Sequence, residues 1–195
     1  AYGYWLDLPA APALSSRTMG LRLNGQQTVR PGVTFHYTTE FARQRDHGVN
    51  PASFSHNYLL IEPGLGIGPV TARVGFERLS GDGATALQTP LATLHAFNGW
   101  TDRFLSTPAN GLRDLYADVQ WRLGPVLTSA PATLRLQAHD FNATRTSADY
   151  GREFGAWLIV PVSRQISASV KMSHYDADAF ATDTTKFWFS VEARF

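Results

Sequence analysis

Charged residues in this chain recur at every second position inside otherwise apolar stretches, and that spacing limits the chemistry open to them. Arg22, Arg73, Arg122, Arg135 and Lys171 fall in the same phase of their stretches as Glu40, Glu62, Glu77, Asp114 and Asp118. On an extended backbone alternate side chains share a face, so both signs are expected on one polar surface. Asp7, His36, His139, Lys186, Glu192 and Arg194 extend the same set. Such a surface can line a water-filled path and select solutes by sign and width. It can also fill a narrow interior as a plug of salt bridges. A small closed barrel favours the plug and a wider one favours the path. An anion carrier would use the basic members along its route.

Other chemistry has less support. A His beside a carboxylate can act as a general base, and His139-Asp140, His174 and Asp176 offer the residue types. Adjacent strand residues point to opposite faces, however, so His139 and Asp140 cannot simply pair. These histidines read as ordinary residues near strand ends. Neither Gly-x-Ser-x-Gly nor His-Glu-x-x-His occurs. Asp176, Asp178 and Asp183 lack the bidentate Glu of a known calcium loop. Gly81-Asp82-Gly83 is a turn signal without the Lys-Ser/Thr of a phosphate loop. With no cysteine, no thiolate metal site or disulfide framework can form. No catalytic residue, metal or cofactor is expected, and the chain does not read as an enzyme.

The elements that must carry the polar face are strands. Phe187, Phe189, Val191 and Ala193 alternate with Lys186, Trp188, Ser190, Glu192 and Arg194. Leu115, Ala117, Val119 and Trp121 alternate with Asp114, Tyr116, Asp118, Gln120 and Arg122. Similar period-two runs fall at 19–24, 33–41, 70–77 and 166–172, with weaker copies at 2–8, 57–65, 133–141 and 154–162. Both faces of 154–162 are apolar, so its facing is open. A helical spacing is confined to Leu91, Leu94, Phe97 and Leu105. About ten strands in 195 residues fit a single all-β domain, an antiparallel up-and-down barrel. It is either complete or part of a larger one.

Composition sharpens this to a transmembrane barrel. Charged residues are 17% and aromatics 12%, and the formal net charge is +1. The charge and the absence of basic runs argue against nucleic acid. Low charge, many aromatics and a mean hydropathy of −0.18 suit an apolar lipid face averaged with a polar inner face. No stretch is long and apolar enough for a membrane helix. Tight turns are expected at Pro69, Pro125 and Ser163-Arg164-Gln165, and longer loops at about 9–16, 43–56, 80–112, 143–152 and 176–185. Short turns on one side and long loops on the other suit a bacterial outer membrane, loops outward and both chain ends in the periplasm. Tyr2, Tyr4, Phe35, Tyr37, Trp121, Phe187 and Phe189 are expected on the outer face as an interfacial girdle. The amphipathic ending at Phe195 looks like the C-terminal signature that barrel-assembly machinery reads in outer-membrane proteins.

One segment is more specific. Phe76-Glu77-Arg78-Leu79-Ser80-Gly81-Asp82-Gly83 runs into Gln88-Thr89-Pro90-Leu91-Ala92-Thr93-Leu94-His95-Ala96-Phe97-Asn98-Gly99-Trp100. It continues through Thr101-Asp102-Arg103-Phe104-Leu105 to Leu112. This resembles the long loop of porin-like proteins with an alginate-export-type domain. Tyr175-Asp176-Ala177-Asp178 through Lys186, and Ala42-Arg43-Gln44 with Asn50-Pro51-Ala52-Ser53, resemble other parts of that family. The resemblance implies an outer-membrane barrel conducting solutes, with a polyanion or sugar as one cargo. Members of that family look roughly twice this length, and this chain looks like their C-terminal portion. Further strands or another chain would then complete the barrel. Loop 80–112 is expected either to fold inward and constrict the path through His95, Trp100, Asp102 and Arg103, or to sit outside as a lid.

Overall fold

The computed structural model describes residues 1–91, 95 and 97–194. Its strands are β1 (Tyr2–Leu6), β2 (Ser16–Arg30), β3 (Val33–Asp46), β4 (Ser55–Ile67), β5 (Val70–Leu79), β6 (Leu112–Pro125), β7 (Pro131–Asn142), β8 (Asp149–Pro161), β9 (Ile166–Ala177) and β10 (Thr184–Ala193). Spatial order equals chain order across one ten-stranded sheet, and every neighbouring pair is antiparallel. This is the up-and-down meander of transmembrane barrels. The sheet is open: β1 pairs only with β2 and β10 only with β9 among the described residues.

Alternation fixes which way each strand faces. On β2, Met19, Leu21 and Leu23 are exposed outward, while on β10 Phe187 and Phe189 are 71% and 74% exposed. Large apolar side chains left this open over a whole face are a surface for lipid, not water. The other phase turns inward and is buried: Ala42 and Gln44 on β3, Glu77 and Leu79 on β5, Asp114 and Asp118 on β6. Strand β8 resolves as Glu153, Gly155 and Trp157 inward and Phe154 and Leu158 outward. The short strand β1 reverses the expectation. Tyr2 and Tyr4 line the concave face, with the Tyr2 hydroxyl donating to Glu40 at 2.5 Å, and Trp5 points outward. They belong to no outer girdle.

Two-residue turns at Pro31-Gly32 and Gly68-Pro69 join β2 to β3 and β4 to β5. Both glycines sit at positive φ (+77° and +55°), and the Gly68 amide donates to the Gly32 carbonyl at 3.0 Å. The longer connections cluster at the opposite end, at 7–15, 47–54, 80–111, 143–148 and 178–183. Apart from the first, which opens two residues earlier because β1 ends at Leu6, their bounds lie inside those expected, because pairing continues further. Tyr150 and Gly151 belong to β8 and Ser55 to β4. An aromatic core closes this loop end: Phe104 from the long loop packs 4.4 Å from Phe141 and 5.1 Å from Phe180, and also against Tyr150 and Tyr175. The terminal Phe195, and Leu94 of the helical spacing, lie outside the described residues.

Candidate functional site

The inward phase of β2 to β7 brings ionisable side chains together as a chain of pairs. Arg22 donates to Glu40 at 2.6 Å. Arg73 lies 3.7 Å from Asp118 and 4.0 Å from Glu62, and Glu62 also accepts the Tyr116 hydroxyl at 2.5 Å. Asp118 accepts Arg135 Nε at 2.5 Å and Gln137 at 3.0 Å. Deeper toward the loop end, Glu77 accepts the Tyr58 hydroxyl at 2.5 Å and Asn98 Nδ2 at 2.7 Å. The same Asn98 amide reaches Asp114 at 3.4 Å. His139 turns Nδ1 to Asp114 at 2.9 Å and stacks between Tyr116 and Phe141. It is therefore buried inside the sheet, not an open rim residue, and its acid partner is Asp114. Asp140 faces outward and takes Arg152 instead. Arg122 stands apart at the turn end, donating to the Gly68 carbonyl at 3.3 Å.

Loop 80–111 folds back onto this face and onto β8 to β10. Its chief anchor is Glu153, fully buried, which the sequence did not single out. Glu153 accepts the backbone amides of Trp100 (2.5 Å) and Thr101 (3.2 Å), the Thr101 hydroxyl, and the Ser173 hydroxyl at 2.6 Å. The approach needs Gly99 at φ +85°: a Cβ there would lie 2.5 Å from the Glu153 carboxylate. Trp100 then lies against Gly155, where a Cβ would come within 2.6 Å of the ring. A second tie is reciprocal: Gln44 Nε2 donates to the Gln88 carbonyl (2.8 Å) and its Oε1 accepts the Gln88 amide (3.0 Å).

Beside the anchor is a basic cluster. Lys171 on β9 places its ammonium 4.7, 5.1 and 4.8 Å from the ring centroids of Trp100, Trp157 and Trp188, and 2.6 Å from His95 Nε2. His95 Nδ1 meets Asp102 at 2.7 Å, and Asp102 accepts Lys186 Nζ at 2.6 Å. Burial works against ionisation of Asp102, but the Lys186 and His95 hydrogen bonds outweigh it and hold the carboxyl below its usual range. His95, Trp100 and Asp102 thus share one site. Arg103 does not join it, and its Nε is buried without a partner among the described residues. Trp157, Trp188 and Glu153 were missed, although Trp188 already alternated in phase with Lys186.

The result is a divided surface. Five carboxylates (Glu40, Glu62, Glu77, Asp114 and Asp118) come from β3 to β6, and both lysines of the chain come from β9 and β10. Two open clefts remain beside the loop. One, of about 660 Å³, is bounded by Tyr2, Tyr4, Glu40, Tyr58, Glu77 and Asn98. The other, of about 250 Å³, is bounded by Arg22, Glu62, Arg73, Asp118, Arg135 and His139. Among the described residues no cluster of three or more His, Asp or Glu is placed to hold a metal ion.

No family model matches the sequence, and no curated protein matches it. Solved structures do. The outer membrane protein OprD from Pseudomonas aeruginosa superposes with a TM-score of 0.69 at 13% identity, over 91% of this chain and 52% of that one. The outer membrane protein OpdK from the same organism gives 0.64 at 16% identity, over 91% and 49%. OccK3 (OpdO), also from P. aeruginosa, gives 0.62 at 15%, over 90% and 48%. The chain spans about half the length of the structures it matches, and at these identities the likeness is one of fold, that of an outer-membrane β-barrel.

Proposed function

We propose that this chain forms one side of a porin-like outer-membrane channel, with the 80–111 loop as its constriction and small anionic solutes as its cargo. The observation that carries this reading is the two-sidedness of the sheet. Its convex face is apolar and open, whereas its concave face is charged, clefted and partly filled by an anchored loop. Outer-membrane lipid is the partner of the first face and solute the partner of the second. Arg22, Arg73 and Arg135 are compensated by nearby carboxylates. Lys171, 9% exposed, has aromatic faces and a histidine around it and no carboxylate within ion-pair distance among the described residues, so its positive charge is not neutralised by an acid beside it and contributes to the field of the concave face.

Two anions suit the reading. OpdK has been crystallised with vanillate, a small aromatic carboxylate that would meet indole and ammonium together here. The resemblance to alginate-export-type domains makes a polyanionic sugar the other candidate. A closed, plugged ten-stranded barrel is the alternative, and the open sheet counts against it. Further strands or another chain would satisfy the free edges of β1 and β10. Planar-bilayer recording on the protein extracted from outer membranes tests the proposal. Ion conductance that vanillate or alginate oligomers reduce is expected. An intact, inserted protein that passes no current at any voltage leaves only the plugged reading.

A further inference from the structure

Five arginines turn outward at the loop ends of β2 to β6: Arg17 on β2, Arg43 and Arg45 on β3, Arg78 on β5 and Arg113 on β6. Each is in phase with the apolar outer face and stands at its upper margin. Toward the turn end Arg17 is followed by Met19, Leu21 and Leu23, Arg43 by Phe41, Arg78 by Phe76 and Val74, and Arg113 by Leu115. Two directly opposed cross-strand pairs are like-charged, Arg17 with Arg45 and Arg78 with Arg113. Opposed like charges destabilise a sheet. Among the described residues none of the five forms an ion pair; the side-chain partner present is Ser55, whose hydroxyl accepts Arg43 Nε at 2.9 Å. Asn57, outward on β4, adds a polar group between them. On the other half of the sheet the same level is mixed in sign, with Asp140, Arg152 and Asp176, and Arg152 is paired.

We propose that this belt binds the phosphates of a phosphorylated glycolipid in the leaflet that surrounds the loop end. The inference rests on the outer-membrane placement proposed above. Neighbouring strands are about 4.8 Å apart, so β2 to β6 carry the belt across roughly 19 Å, wide enough for several phosphates side by side. Guanidinium groups bind phosphate through two parallel hydrogen bonds, a geometry that lysine cannot copy, and the belt contains no lysine. An anion between opposed arginines also removes the repulsion within each pair. The partner is therefore a lipid headgroup held at a fixed height by the apolar band beneath it.

The test uses the full-length protein and a variant carrying Arg17→Gln, Arg45→Gln, Arg78→Gln and Arg113→Gln. Thermal unfolding is followed in net-neutral phosphatidylcholine vesicles, in the same vesicles containing lipid A, and in the neutral vesicles with inorganic phosphate. The wild type is expected to melt several degrees higher with lipid A, and the variant to lose most of that shift. In neutral vesicles the variant should be no less stable than the wild type, since two repulsive pairs are gone. Equal shifts for both proteins, or the full wild-type shift from inorganic phosphate alone, overturn the belt as a lipid site. Failure of both proteins to insert into any vesicle overturns the membrane placement instead.

Discussion

At the scale of the residue, the concave face shows what alternation can and cannot disclose. Glu40, Glu77, Asp114 and Asp118 were legible because each sits in a strand whose other phase is plainly apolar. Glu153 was not, because the apolar run read there starts at Phe154, one residue beyond it, and is apolar on both faces. It is the long loop, distant in sequence, that makes one of them inner. Glu153→Gln keeps the shape but removes the charge that four donors share, and the amide must turn a donor toward one of them. A loss of about 2–3 kcal/mol is expected, read as earlier thermal unfolding with earlier protease cleavage in 80–111. Lys171→Met keeps the aliphatic packing among three tryptophans and deletes the ammonium. Reversal potentials in a salt gradient should move toward cation preference, and an unchanged potential would remove Lys171 from the path. Asp82 gives a pH prediction. Its carboxylate accepts the Thr85 and Ala84 amides and the Thr85 hydroxyl, which lowers its pKa to about 2. The folded value lies below the unfolded one, so this turn is fully supported above pH ~4. It loosens as pH falls from there through 2. Amide exchange at Thr85 should accelerate across that window and not above it.

At the scale of the element, strand existence was readable and strand facing mostly so. The exception, β1, shows the reason. Tyr2, Tyr4 and Trp5 put aromatic rings on both faces of five residues, and no hydropathy difference is left to set the phase. What decides it is partner chemistry: Glu40 on β3 needs the Tyr2 hydroxyl, and Gly20 opposite leaves the space for the ring. The same device recurs where Tyr116 lies over Gly75 and Trp100 over Gly155. In each case an aromatic side chain lies over a glycine where a Cβ would collide. Gly155→Ala should therefore lift Trp100 off β8, weaken the Glu153 anchor behind it and widen the proposed constriction. The expected outcome is a higher single-channel conductance with the sheet intact by circular dichroism. An unaltered conductance would mean that the loop does not set the bore. The loop itself was legible as a long polar insertion, but its inward course was left open against a lid. The sequence does not display that Gly99 and Glu153 meet.

At the scale of the whole molecule, the sheet has two free edges. Edge strands in lipid carry unpaired amides and carbonyls, and each costs several kcal/mol there. The 195-residue chain refolded alone should thus populate oligomers or remain unfolded in detergent. Sedimentation or light scattering reads this directly, and a stable monomer with native strand content would show that β1 and β10 can meet. Period-two patterning fixed ten strands and their order because hairpin connections leave little choice. It carries no information on closure, since closure depends on strand number and shear summed over the complete barrel.

The anchors of the long loop have a consequence in time. The loop leaves the sheet between β5 and β6 and is tied nearby through Gln88 to β3 and through Asn98 to β5 and β6, yet its deepest fastenings belong to β8, β9 and β10: Glu153, Lys171 and Lys186. Hairpin β5–β6 can register without it. These fastenings cannot form until β8, β9 and β10, which follow the loop in the chain, are in place. The nascent sheet therefore passes through a stage in which the concave face beside β5 and β6 is less covered, and full seating of the loop reports that β8 to β10 have joined the sheet.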